Sequence, residues 1–266
     1  MGWTLHRLAM LLAFLLLPAA VVTAEKPAWQ QLDAARDWLG GEEPASGGLR
    51  IELPLVSEEG MSVPLEIRGG ELGNSEAPIR EIRVYALGNP DPDVLGLRLD
   101  PALGRADFST RIRLDESQTV LVLARDASGR FLAAEQPVRV ANSGCLARSD
   151  EPVDAPMGAP RVAVPDPFPG AGEPGEVRTL ILHPMETGFR EGPDGKPVAR
   201  RIIEDFSAEL DGETVLSARF HAAVSANPYL AFRLAPRADG ELRLHWRDET
   251  GEEREAYREV RVGSGE

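Results

Sequence analysis

Apolar and polar positions change period once along this chain, near Leu49. Before that point, "KPAWQQLDAARDWLGG" places Trp29, Leu32 and Leu39 near one helical face. Pro27 suits a first turn and Gly40-Gly41 a stop, so the pattern predicts a short amphipathic helix. Beyond it, "LRIELPLV", "SVPLEIRG", "PIREIRVYAL", "STRIRLD", "QTVLVLARD" and "QPVRVAN" alternate or cluster apolar residues in short runs, separated by turn-rich pieces such as "GNPDPD" and "DASGR". This is the signature of an antiparallel sandwich. A second series, "EVRTLILHP", "RRIIEDFSAEL", "ETVLSARFH", "YLAFRLAP", "ELRLHWRDE" and "AYREVRV", repeats the pattern. Asp211-Gly212 and Asp239-Gly240 each read as hairpin turns between apolar runs. In "ELRLHWRD", Leu242, Leu244 and Trp246 are predicted to point inward, with Arg243, His245 and Arg247 facing water. The expected fold class is all-β: two immunoglobulin-like β-sandwich domains in tandem with a short N-terminal helix.

The boundaries follow composition. Residues 1–24, "MGWTLHRLAMLLAFLLLPAAVVTA", have a short basic start, an apolar run from Leu8 to Leu17 and small or medium residues up to Ala24. That is the layout of a cleaved secretory signal peptide, too short in its apolar run to span a bilayer comfortably. Residues 25–48 form the helix and lead-in, and 49–150 the first sandwich. Residues 151–175 are a Pro/Gly-rich linker in which "PRVAVP" is a candidate first edge strand, and 176–266 are the second sandwich. The expectation is a periplasmic protein, with no membrane association after signal cleavage.

Charge narrows the partners. With 43 acidic against 29 basic residues, the net charge of −14 disfavours binding to phosphate backbones, and no Lys/Arg stripe with interleaved aromatics offsets it. No nucleic acid is expected. No close group of four N/S ligands suggests a zinc site and no Walker-type glycine loop is present, so neither metal nor cofactor is expected.

The chemistry that composition leaves is a single thiol. Cys145, in "VRVANSGCLARSD", is the sole cysteine of the 266 residues, so an internal disulfide is excluded. A buried small hydrophobe is the commonest fate of a free cysteine. Here, however, the polar "NSGC" precedes it and the proline-rich stretch follows, which predicts accessible backbone at a strand end. Arg148 favours the thiolate and Asp150 opposes it. Pairing with His183, His221 or His245 as a nucleophile and base has no local signature, so no catalytic residue is assigned. A disulfide-linked homodimer through Cys145 is a further alternative, so an oligomer stays open.

Longer segments carry more than pattern. "GEVRTLILHPMETGFREGPDGKPVARRIIEDF", "SANPYLAFRL" and "GELRLHWRDETGE" resemble the SoxZ subunit of bacterial thiosulfate oxidation, with His183–Gly188 and Ser225–Tyr229 as the specific segments. The first half, from "IELPLVSEEGMSVPLEIRG" to "VRVANSGC", resembles SoxY. Together they look like fused SoxYZ-like carriers of the type associated with quinoprotein dehydrogenases. The resemblance implies a carrier rather than an enzyme. In SoxY a glycine-rich arm, Gly-Gly-Cys-Gly-Gly, holds the substrate sulfur covalently. Gly144-Cys145 matches its Gly-Cys, Ser143 replaces a glycine, and Leu146, Ala147 and Arg148 stand where glycines follow. The implied roles are attachment at Cys145, an arm at Ser143 and Gly144, and a docking loop at His183, Met185 and Glu186. In "HPMETG", Met185 is expected to pack and Glu186 to cap or form an ion pair. In "SANPY", Asn227-Pro228 should set a bend, with Tyr229 anchored in the core. Implied partners are periplasmic sulfur-oxidising enzymes, or a quinoprotein dehydrogenase and cytochrome c. The alternative function is a non-covalent adaptor for that dehydrogenase and cytochrome system, with Cys145 not essential.

Overall fold

The computed structural model describes residues 26–72, 76–143, 153–192 and 194–264. The first half contains two short helices, α1 (Ala28–Gln31) and α2 (Asp33–Leu39), and strands β1 (Ala45–Ser46), β2 (Arg50–Glu52), β3 (Val56–Glu59), β4 (Val63–Glu71), β5 (Ile79–Ala86), β6 (Asp93–Leu99), β7 (Arg105–Ile112), β8 (Gln118–Asp126) and β9 (Phe131–Asn142). The second half adds β10 (Arg161–Ala163), β11 (Gly175–Leu180), β12 (Ile203–Leu210), β13 (Glu213–Phe220), β14 (Tyr229–Leu234), β15 (Gly240–Asp248) and β16 (Glu253–Val260). The protein is all-β apart from its N-terminal helical segment, as the alternation predicts.

The halves do not stand apart. A ten-stranded sheet runs β1-β9-β8-β5-β6-β13-β12-β15-β16, with β3 added beside β9, and a six-stranded sheet runs β10-β11-β14-β7-β4-β2. Both sheets cross from one half to the other. In the larger, Leu95, Leu97 and Leu99 of β6 lie opposite Phe220, Ala218 and Leu216 of β13. In the smaller, Phe108, Ser109 and Thr110 of β7 lie opposite Phe232, Ala231 and Leu230 of β14. Each half thus seals two strand edges that would otherwise offer unpaired backbone groups to other chains. One apolar core, from Leu49 to Val260, fills the space between the sheets. At its second-half centre, Phe206 packs against Trp246 at 5.1 Å and against Phe220 and Phe232 at 6.3 Å. Leu242, Leu244 and Trp246 do point inward.

Three local readings are refined by this arrangement. The predicted helix is two, because Leu32 is extended (φ −118°, ψ 121°), and Gly40 at φ 62° closes the second by donating to the Arg36 and Asp37 carbonyls. These helices lie on the outer face of the large sheet, where Ala35 and Leu39 pack on Tyr85, Leu121, Leu123 and Phe131. β8 is therefore covered on both faces, which accounts for its near-continuous apolar run "VLVL". Asp211-Gly212 does form a hairpin, at φ 51° and 84°. Asp239-Gly240 instead carries the chain from β14 in the small sheet to β15 in the large one, and the Asp239 carboxylate accepts from the Val262 amide at 2.7 Å. A dipeptide signals a turn but not which sheet receives the next strand.

The Pro/Gly-rich stretch is packed where it is described. Met157 and Phe168 are buried, and Arg161–Ala163 pairs antiparallel with β11. Low regular-structure content reflects missing backbone donors and unusual φ values, and it does not imply slack.

Candidate functional site

Residues 1–25 and 144–152 lie outside the described residues, and with them the signal-peptide reading and the positions of Gly144 and Cys145. What the structure gives is the ground on either side of the cysteine.

Upstream, β9 ends in a fastened root. β3 runs parallel to it, with Glu59 opposite Asn142. The Gly60 amide donates to the Asn142 carbonyl at 2.8 Å, and the Asn142 side-chain amide donates to the Glu58 carbonyl at 2.9 Å. Ser143 is exposed, and its hydroxyl donates to the Asp115 carboxylate. The turn after β7 completes the frame: the Leu114 amide donates to the Gly60 carbonyl at 2.8 Å, and Asn89 bonds both the Arg113 carbonyl and the Asp115 amide at 2.9 Å. Glu58, Glu59, Asp115 and Glu116 gather here, and among the described residues none of them is in an ion pair.

Downstream, the chain is caught by Arg201. Its guanidinium donates to the Val153 carbonyl at 3.1 Å and the Ala155 carbonyl at 2.7 Å, and pairs with Glu252 at 2.8 Å. Glu252 also accepts from the Met157 amide at 3.0 Å. The sequence reading missed both residues.

The segment His183–Gly188 is inward-facing. His183, Met185 and Glu186 are all buried, so their own side chains do not form a contact surface for a partner. Phe189, just beyond, is 41% exposed. The two motifs of the second half hold each other: the His183 amide donates to the Asn227 side-chain oxygen, and the Asn227 amide to the His183 carbonyl, both at 2.9 Å. Met185 and Asn227 adopt left-handed backbone at φ 47° and 54°, which is unfavourable for a methionine and needs such fixing. The Met185 thioether accepts from the Ile203 amide at 3.2 Å. Glu186 pairs with Arg190 at 2.7 Å, as expected for that residue. Tyr229 is half-buried rather than in the core, with Arg111 5.3 Å from its ring centre. At the start of β14 its ring falls on the polar side of the strand.

A buried side-chain tie across the halves is Arg113. This buried cation from the end of β7 donates to the carbonyls of Met185, Pro184 (3.2 Å) and Ala222 (3.3 Å). In "STRIRLD" it occupies a polar position of the alternation, and nothing in the sequence separates it from exposed Arg111.

His183 accepts from the Met185 amide through Nδ1 at 3.1 Å, which leaves its proton on Nε2. Nε2 lies 3.7 Å from the Asp248 carboxylate, beyond hydrogen-bond reach, and has no other partner among the described residues. Burial, reinforced by the Arg201 charge and only partly opposed by Asp248, lowers its pKa to about 4, so it is neutral at pH 7. Burial works against ionising Asp248, but bonds from the Thr250 hydroxyl and the Glu252 and Thr250 amides, with Arg201, hold its carboxyl below the usual range. His183 is a frozen neutral group held in the interior. Among the described residues no group of three or more His, Cys, Asp or Glu side chains converges as a metal site, and no helix is long and apolar enough to cross a membrane.

Comparison with known families gives two matches. The family model of sulfur oxidation protein SoxY matches residues 35–145, and that of sulphur oxidation protein SoxZ matches 166–259. SoxY and SoxZ family models thus match the chain in tandem. The SoxY match ends at Cys145 itself, and the SoxZ match begins just before Phe168. These families support a carrier protein of sulfur oxidation that works with sulfur-oxidising enzymes. No curated protein matches the chain. Among solved structures, a superoxide reductase (neelaredoxin) variant from Ignicoccus hospitalis is similar at TM-score 0.32 and 16% identity, over 35% of this chain and 78% of its own. A putative superoxide reductase from Thermotoga maritima gives 0.30 and 19%, over 37% and 87%. Red sea bream transglutaminase gives 0.28 and 12%, over 87% and 33%. Similarity at that level carries no functional information about the SoxY–SoxZ chain.

Proposed function

We propose that this protein is an exported, periplasmic carrier that holds a sulfur species covalently on Cys145 and presents it to partner redox enzymes. The observation that carries the reading is the root: an exposed strand end, fastened at Asn142 and Ser143, two residues before the sole cysteine of a SoxY domain. Covalent geometry keeps the Cys145 Cα within about 8 Å of the Ser143 Cα, whereas the eight residues on to Val153 can span up to about 29 Å. The upstream limb is therefore the shorter tether. Joining the outer, thiolate-like sulfur of thiosulfate to the Cys145 thiol breaks the S–H bond, forms one S–S bond and releases a proton and two electrons. Loading therefore requires an oxidising partner, for which a cytochrome c is the natural class, while chemistry on the cargo belongs to the partner enzymes. The association with a quinoprotein dehydrogenase is part of the same proposal.

The departure at Leu146, Ala147 and Arg148 favours one second reading. A side chain at each position narrows the backbone's freedom relative to glycine, and a non-covalent adaptor would not need that freedom. Intact mass spectrometry of the mature chain from its native periplasm, before and after reduction, separates the two. A reducible sulfur or sulfonate increment on Cys145, lost in Cys145→Ser with the fold unchanged, is the expected result. An unmodified thiol, with partner capture equal in wild type and Cys145→Ser, would leave the adaptor standing.

A further inference from the structure

We propose that the face beside the arm root, centred on Leu55 and Val56, docks partner proteins whose entrance is apolar and ringed by lysine or arginine. The proposal rests on the carrier reading and names the chemistry of the partner's surface. Leu55 and Val56 are 73% and 61% exposed, the most exposed large apolar side chains among the described residues, and they are adjacent. Their backbone is held: the Arg139 amide donates to the Leu55 carbonyl at 3.0 Å, and Gln136 bonds the Leu53 carbonyl at 2.7 Å and accepts from its amide at 3.3 Å. A fixed bend and the start of β3 thus present two apolar side chains to water. They border a cavity of about 780 Å³ whose other apolar walls are Leu87, Pro137 and Val138. Such a patch on a polar surface marks an interaction site.

The rim supplies the charge. The cavity reaches Ser117, whose hydroxyl accepts from the Val140 amide at 3.0 Å, three residues before Ser143. Around that point stand Glu58, Glu59, Asp115 and Glu116, without ion-pair partners among the described residues, and the one charged side chain in the cavity's lining is Arg139, opposite Val56 in the β3–β9 register. An apolar centre with an unneutralised acidic rim is complementary to an apolar centre with a basic rim, and it speeds encounter with such a surface. A second copy of this chain placed face to face would bring like charges together, which disfavours it as the occupant.

The probe is a folded, lysine-ringed c-type cytochrome, titrated at low salt into the isotope-labelled mature chain and followed by nuclear magnetic resonance. Expected are perturbations confined to residues 53–60, 87–89, 115–118 and 136–143. Affinity should fall at least tenfold in Leu55→Ser/Val56→Ser and in Glu58→Gln/Glu59→Gln/Asp115→Asn/Glu116→Gln, and be lost with the lysine-acetylated cytochrome. Tyr257→Ser, at an exposed aromatic on β16, should leave binding unchanged. No binding, perturbations elsewhere, or equal affinity in Leu55→Ser/Val56→Ser would overturn the proposal. Labelling of Cys145 by iodoacetamide in the same samples tests the underlying reading separately, because an inaccessible thiol defeats the carrier whatever the cytochrome does.

Discussion

The arm root of the SoxY half and the His183–Gly188 loop of the SoxZ half lie on either side of the turn that follows β7, and they are built in opposite ways. Leu114 and Asp115 of that turn reach the root, while Arg113 reaches the loop. The root is exposed and acidic, and it is held by a few surface hydrogen bonds. The loop is buried and nearly neutral, and it is fixed by a cation from the other half together with an unusual methionine backbone. The more distinctive sequence motif therefore marks the more structural region. A loop with left-handed residues and an interior histidine tolerates few side chains, whereas an exposed root needs only a fastened strand end and open solvent.

Breaking the loop should have the largest effect on stability. Arg113→Ala leaves three carbonyls without their buried donor and should cost about 3–5 kcal/mol of unfolding free energy by urea titration. Arg113→Lys, which cannot reach all three, should recover only part. A loss below about 1 kcal/mol would show that the halves are held by their sheets alone.

Acid should find the same region next. His183 has a folded pKa of about 4, below its ordinary value of 6.5. The unfolded chain takes up the proton first as pH falls, so stability is full above about pH 6.5 and declines down to about pH 4. The loss is on the order of 3 kcal/mol. His183→Asn, which can keep an acceptor for the Met185 amide, should flatten that decline. An equally steep profile in the variant would assign the acid sensitivity elsewhere.

Breaking the root should cost least. Ser143→Ala removes an exposed hydrogen bond to Asp115 and should lower stability by no more than about 1 kcal/mol. If the comparison holds, its effect falls instead on the rate at which Cys145 is loaded. A large loss of stability with unchanged loading would reverse the roles of root and loop.

Much of this architecture was legible in one dimension. Resemblance to SoxY suggested the carrier role of the sole cysteine, while alternation located the strands, as in Leu242, Leu244 and Trp246, and the polar run "NSGC" predicted accessible backbone at a strand end. Residue type and period suffice for such statements, since they depend on each residue's own preferences and its near neighbours. Tertiary structure decided what depends on distant partners. It made two tandem halves share both sheets, because unpaired edges seek partners wherever the chain brings them. It sent Asp239-Gly240 between sheets rather than into a hairpin. It also buried Arg113 and half-buried Arg201 under carbonyls supplied by residues some 46 to 109 positions away, while exposing Leu55 and Val56. An arginine reads as polar in any pattern, and only the fold determines whether its partners are water or backbone.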